Sequence, residues 1–295
     1  MIVYASSYLK VHRPAEFYAG LIDNQPMGFY SVATLIQDAR RHGVRARPVC
    51  VVASQWLTTV EADDAIRIGL HRVRGLHQAT VQAMLAARAV RSFASMDDFL
   101  QRTGFNAEER RALATAGALN ALAGHRRAAL WQVERALAPD DLFGMAAEDA
   151  AELSPLEAMT YLERIAADYH TQALTVGEHP MKAIRASLPG VLRSADLAGV
   201  RNGSQVTIGG SVICRQRPGT AKGFVFVSLE DETGVANAVV RPQLFEQMRL
   251  TITQEPALII TGRLQLHDGV IHIKAEEIRA LRCDDLPAEA SHDFR

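Results

Sequence analysis

The sequence predicts an α+β, multidomain chain: a helical N-terminal part followed by a five-stranded β-barrel. Three observations carry this. Apolar residues recur at helical spacing up to about residue 174. From residue 204 the apolar period switches to two. Five such runs, SQVTIGGSVICRQ, GFVFVSLED, GVANAVV, PALIITGRLQLH and GVIHIKAEEI, carry one helical stretch, PQLFEQMRL, between the third and the fourth. The length agrees, since 295 residues at 48% hydrophobic can bury more than one core.

Residues 4–24 read as helix, with Tyr4, Tyr8, Leu9, Phe17 and Leu21 at helical spacing and Pro14 marking a break or a new first turn. NQPMGFY (24–30) is a turn. SVATLIQDARRHG (31–43) is an amphipathic helix with Ser31 as cap and Gly43 as stop. ARPVCVVAS (46–54) reads as a strand. AIRIGLHRVRGL (65–76) and HQATVQAMLAARAV (77–90) open a helical block. FASMDDFLQRTG (93–104) follows with Ser95 as its N-terminal signal, then NAEERRALATAGAL (106–119) with Asn106 and Glu109 at capping-box spacing. SPLEAMTYLERIAADYHTQAL (154–174) reads as a helix capped by Ser154, with Pro155 first and Glu157 completing the box. Its stripe of Leu156, Met159, Leu162, Ile165 and Tyr169 is core packing. The expected divisions are 1–60, 61–135, an acidic linker plus helix over 136–200, the barrel over 201–282, and a tail over 283–295.

Net charge is -1, so affinity for a polyanion has to come from local patches. The charge is segregated. Residues 64–135 carry eleven arginines against six carboxylates, and residues 136–199 carry four basic groups against ten acidic ones. A basic block before an acidic stretch hints at one polyanion-facing surface; ordinary solvated charge accounts for it equally well. Cys50, Cys214 and Cys283 are too far apart for a CxxC site and suit reduced thiols. No apolar run reaches the roughly 18 residues that span a bilayer, and MIVYASSYLKVHRP lacks the features of a signal peptide. The expectation is a cytoplasmic protein without a membrane partner.

Three strands, a helix and two strands is the order of an OB-fold barrel. Gly209-Gly210 fits a bend in its first strand, and Asp268-Gly269 is a two-residue hairpin turn between the last two. The stretch Arg215–Gly223 then becomes the loop between strands one and two, and His267–Gly269 the loop between strands four and five. These are loops with which such barrels grip single strands. Arg215, Arg217 and Lys222 are candidate phosphate contacts. Phe224 and Phe226 share one face of strand two: facing outward they are base-stacking platforms, facing inward they are core.

A second candidate is VRGLHQATVQAML, which resembles the hairpin of a helix-hairpin-helix module. Gly75 supplies the turn, Arg72 and Arg74 flank it, and amide groups at the helix start would meet a DNA phosphate. Such hairpins usually carry a second glycine where this chain has His77. A tight turn between two packing helices explains the same residues.

No catalytic centre is visible. Nucleotidyl transfer needs closely placed carboxylates around two metal ions, and no Asp-x-Asp occurs. Walker, GxGxxG, HExxH and GxSxG motifs are missing, and the ten histidines are scattered. No cofactor and no metal ligand is expected within this chain.

YASSYLKVHRPAEFYAGLIDNQPMGFYSVATLIQDARRHGV resembles the closing part of the fingers region of bacterial C-family DNA polymerases, and QPMGFY with DARRHGV resembles the error-prone, ImuC-type branch. AIRIGLHRVRGL is similar to the strand entering that family's helix-hairpin-helix region, GHRRAALWQV to the segment closing it, and RQRPGTAKGFVFVSLEDETGVANAVV to its OB domain. The resemblance implies the C-terminal portion of an error-prone, translesion DNA polymerase, without the PHP and palm domains. It implies DNA as partner, Mg2+ as a cofactor of the complete enzyme only, and a sliding clamp and accessory mutagenesis proteins as further partners. DDLF (140–143) vaguely resembles a clamp-binding peptide without its leading glutamine. The alternatives are a free-standing single-strand-binding OB protein and a protein-interaction adapter.

Overall fold

The computed structural model describes residues 2–28, 30–137, 154–282 and 292–294. In chain order its helices are α1 (Ile2–His12), α2 (Pro14–Asp23), α3 (Val32–Arg41), α4 (Gln78–Val90), α5 (Met96–Arg102), α6 (Ala107–Ala116), α7 (Asn120–Ala123), α8 (Arg126–Leu137), α9 (Tyr161–Gln172), α10 (Pro180–Ile184), α11 (Pro242–Gln247) and α12 (Arg249–Gln254). Its strands are β1 (Ala46–Arg47), β2 (Thr59–Val60), β3 (Ile66–Arg67), β4 (Gln205–Gln216), β5 (Val225–Glu230), β6 (Val235–Val240), β7 (Ala257–His267), β8 (Val270–Ala280) and β9 (His292–Phe294). Two compact units result, Met1–Asp23 with Val44–Val176 and Asn24–Gly43 with Gly177–Arg295. The segment around α3 thus belongs to the barrel's unit, and α9 to the other. Most of the acidic linker, the DDLF stretch, Cys283 and most of the tail lie outside the described residues.

The helical unit is built from local caps and one aromatic core. Ser95 accepts from the Asp98 amide at the start of α5. Asn106 and Glu109 form the reciprocal capping box of α6, which ends at Gly117 with φ +80°. Phe99 lies edge-on to Phe93 at 5.2 Å and parallel to Phe105 at 5.8 Å, and all three rings are buried. α2 buries Tyr18 and Ile22. α1, by contrast, buries nothing: Ile2, Val3, Tyr4, Tyr8, Leu9 and Val11 are all exposed.

Three local expectations are corrected here. Residues 46–54 do not form one strand. Pro48 cannot donate to a ladder, pairing stops at Arg47, and the amides of Ala53 and Ser54 turn back onto the Cys50 carbonyl. Residues 65–76 are not helical throughout: Ile66–Arg67 is the central strand of a small three-stranded sheet, followed by a 3-10 turn at Leu70–Arg72. This agrees with the strand that the resemblance implied there. Finally, the helix expected from Ser154 begins six residues later, where Thr160 and Glu163 form the capping box, and Leu156 is left exposed outside it.

The second unit holds a closed five-stranded barrel of order β5-β6-β8-β7-β4, with β4 returning to β5, and β9 adds a sixth strand that pairs in parallel with Cys214–Gln216 of β4. One strand closes the barrel by changing partners. β4 pairs with β7 from Gln205 to Ser211 and with β5 from Ser211 to Gln216. The backbones crowd at that corner, where a Cβ on Gly210 would sit 2.6 Å from the Glu230 carbonyl oxygen. Gly210 of the double glycine is therefore required by the closure. At the β7–β8 hairpin Asp268 and Gly269 have φ of +50° and +78°, the left-handed pair that such a turn needs. Val212, Val227, Leu229, Ala238, Val240, Ile260, Leu264 and Ile273 fill the interior.

Candidate nucleic-acid interface

Alternation along β5 shows where Phe226 points. Val225, Val227 and Leu229 face the barrel core, so Phe226 faces out and is 39% exposed, with Phe224 half-buried just ahead of the strand. Phe226 pairs across the sheet with Gln216 on β4 and Val239 on β6. The same outer surface carries Ser228, whose hydroxyl donates to the Asn237 side chain at 2.7 Å. The result is an aromatic ring flanked by polar and small apolar groups.

The basic residues beside it divide into two kinds. Arg215 belongs to β4 and not to the loop, and it is 8% exposed. Its guanidinium donates to the carbonyls of Ile252 and Glu255, tying the end of α12 to the barrel wall. This corrects its reading as a loop residue open to phosphate. Arg217 lies in the loop, half-exposed, with its guanidinium 4.6 Å above the Phe245 ring and 3.6 Å from Glu246. Pro218 begins a 3-10 turn over Gly219–Ala221, and Lys222 follows, exposed, with φ +50°. At the β7–β8 hairpin His267 and Asp268 pair at 3.0 Å with both side chains in solvent.

The hairpin around Gly75 is present but differently wired. Gly75 turns with φ +84°, and a Cβ there would meet nothing within 4 Å. His77 has φ −95° and is the N-cap of α4, so no second glycine is required. However, the His77 amide donates to Glu109 at 3.1 Å, and the His77 ring lies 3.0 Å from the same oxygen. Burial pushes the Glu109 pKa up, but hydrogen bonds from the Asn106 amide and from His77 and Thr80 outweigh it and hold the carboxyl below its usual range. An internal carboxylate thus takes the amide offered to a phosphate. Arg74 donates to the His170 carbonyl. Arg72 is half-buried near Asp23, and burial lowers its pKa.

The same holds across the basic block. Arg88 caps the carbonyls of Val51 and Ser54, and Arg102 those of Ala87 and Arg91. Arg91, Arg111, Arg126 and Arg127 each meet a carboxylate. The charge excess read from the sequence is largely consumed inside the unit.

Sequence reasoning missed Asn237 and Val239 on the outer face, and Arg249 at the barrel's end. Nothing in a helical stretch marks Arg249 out before its neighbours are known. Among the described residues no three His, Cys, Asp or Glu side chains are grouped to hold a metal ion. No helix among them is long and apolar enough to cross a membrane.

Comparison with known proteins agrees with both units. A helix-hairpin-helix motif matches residues 43–129, and an OB-fold nucleic acid binding domain matches residues 206–281. An error-prone DNA polymerase of Azoarcus sp. (strain BH72) is 42% identical over 94% of this chain and 27% of its own length. One from Bordetella parapertussis is also 42% identical over the same shares, and one from Anaeromyxobacter sp. (strain K) is 38% identical over 100% of this chain and 27% of its own length. The chain is similar to error-prone DNA polymerases over nearly all of its own length and spans about a quarter of theirs.

Proposed function

We propose that the chain is the C-terminal DNA-binding region of an error-prone, translesion DNA polymerase, and that its barrel holds single-stranded template. The observation that carries this is Phe226. It is a large ring turned to solvent on the second strand of an OB barrel, beside a loop that presents Arg217 and Lys222. A ring in that setting offers a stacking surface to any base, and the two cations offer neutralisation to the phosphates on either side. Metal-dependent nucleotide transfer, with its Mg2+, belongs in this reading to parts of the polymerase outside the matched quarter. The sliding clamp and accessory mutagenesis proteins belong to the complete enzyme in the same way.

The apolar girth of α1 supports a region of a larger enzyme over a free-standing single-strand-binding protein. A helix that is hydrophobic all round is normally buried all round, and here it meets solvent.

Titration of a labelled single-stranded oligonucleotide with the chain and with Phe226→Ala tests the reading. Stacking is worth about 1–3 kcal/mol per base, so the variant should bind roughly 5- to 150-fold more weakly. Equal affinity would remove the outer face from the interface.

A further inference from the structure

At the end of the barrel, beneath the loop after β4, lies a cavity of about 450 Å³, within the range that takes small organic ligands. Its floor is apolar: Val225, Phe245 and Ile252 are all buried. Its rim carries two cations, Arg217 and Arg249, and among the described residues no acidic side chain lines it. Arg249 is exposed, and the Arg217–Glu246 contact at 3.6 Å joins two half-exposed side chains, which leaves the rim positive. The larger cavity of the same unit, about 760 Å³, is different: Arg41, Lys182, Arg185 and Arg193 there each meet a carboxylate.

We propose that this cavity receives one unpaired nucleotide, its base on the apolar floor and its phosphate between Arg217 and Arg249. The inference rests on the single-strand reading above and extends it. Its link to that reading is Gln216, which lines the cavity and is the cross-strand partner of Phe226. A strand stacked on Phe226 runs past Gln216 to the cavity mouth. A planar heterocycle joined to an anion matches a site that combines a dry floor with a cationic rim; a bare anion would leave the floor unused, and an apolar ligand would leave the rim unused.

The probe is 2-aminopurine deoxynucleoside 5′-monophosphate, whose fluorescence reports stacking, titrated into the full chain at low salt with inorganic phosphate as competitor. Saturable quenching is expected, with inorganic phosphate displacing the nucleotide only at much higher concentration. Arg249→Glu, on an exposed position and checked for an unchanged melting curve, should weaken the nucleotide at least tenfold. No quenching, while a labelled single strand still binds, would overturn the cavity assignment and leave the outer-face reading standing. Displacement by inorganic phosphate at equal concentration would also overturn it, since the site would then read charge alone. Failure of the single strand itself to bind would sink the broader reading, and quenching sensitive to Arg249 would still uphold the cavity.

Discussion

Arg215 and Arg217 lie two positions apart in one basic stretch and have opposite fates. The first is locked onto two carbonyls inside the barrel wall, and the second stands over an aromatic ring at the rim. Each hydrogen bond from a charged group is worth about 1.5–3 kcal/mol, so Arg215→Ala should lower the melting temperature clearly while the folded fraction keeps its affinity for a single strand. Arg217→Ala should do the reverse. Thermal melts run beside oligonucleotide titrations separate the two. A basic stretch was legible in the sequence; which of its members faces inward was not, because strand parity depends on where the strand ends. The phenylalanines carried a better signal. Their interleaved neighbours are Val225, Val227 and Leu229, whereas their own face continues into Ser228, and a hydroxyl belongs on the wet side.

His179 went unremarked in the sequence and is 2% exposed, its Nδ1 accepting from the Met181 amide. Burial lowers its pKa from 6.5 to about 4, with Asp231 pulling it up and Arg41 and Arg185 pushing it down. Between those values the unfolded chain binds a proton that the folded one refuses. Stability from this group is therefore full above pH 6.5 and falls as the pH drops towards 4, by about 3 kcal/mol at most. Denaturant melts of the wild type and of His179→Gln across that window should diverge, with the variant's curve flatter. Parallel curves would contradict the assignment.

At the scale of elements, caps and turns were legible wherever the buried face began at the cap. Ser31, Ser95 and Asn106 all cap as expected. Two S/T-x-x-E boxes compete between residues 154 and 163, and the later one wins because the buried face of α9 starts with Ile165 and its Glu163 also pairs with Arg127 at 2.7 Å. Periodicity alone does not see that partner. The double glycine was legible as a bend, and Gly210→Ala should lower the barrel's melting temperature, because its Cβ would collide with backbone that cannot give way. α1 is the element whose burial the chain leaves incomplete. Removing residues 1–12 should improve solubility with little effect on the melting of the helical unit. Removing 1–60 should unfold it, since Tyr18 and Ile22 of α2 are core. Light scattering and melting curves on both truncations check this.

For the molecule as a whole, the helical front and the closed barrel were both legible, because a period of 3.6 giving way to a period of two needs no tertiary information. The economy of charge was not. Eleven arginines in one block suggested a polyanion surface, yet carbonyl caps and carboxylates absorb most of them, while Arg217, Lys222 and Arg249 of the second unit are exposed. Alone, the purified chain with magnesium and nucleotides should not extend a primer, and robust extension would overturn its assignment as a binding region. The most direct test of the central claim is the salt dependence of single-strand binding, followed by fluorescence anisotropy, for the wild type and for Arg217→Ala/Lys222→Ala. The account predicts affinity that falls steeply with salt and a shallower slope in the variant, by roughly 0.7 for each phosphate that the variant no longer neutralises. Binding that ignores salt, or a slope the variant leaves unchanged, would contradict it.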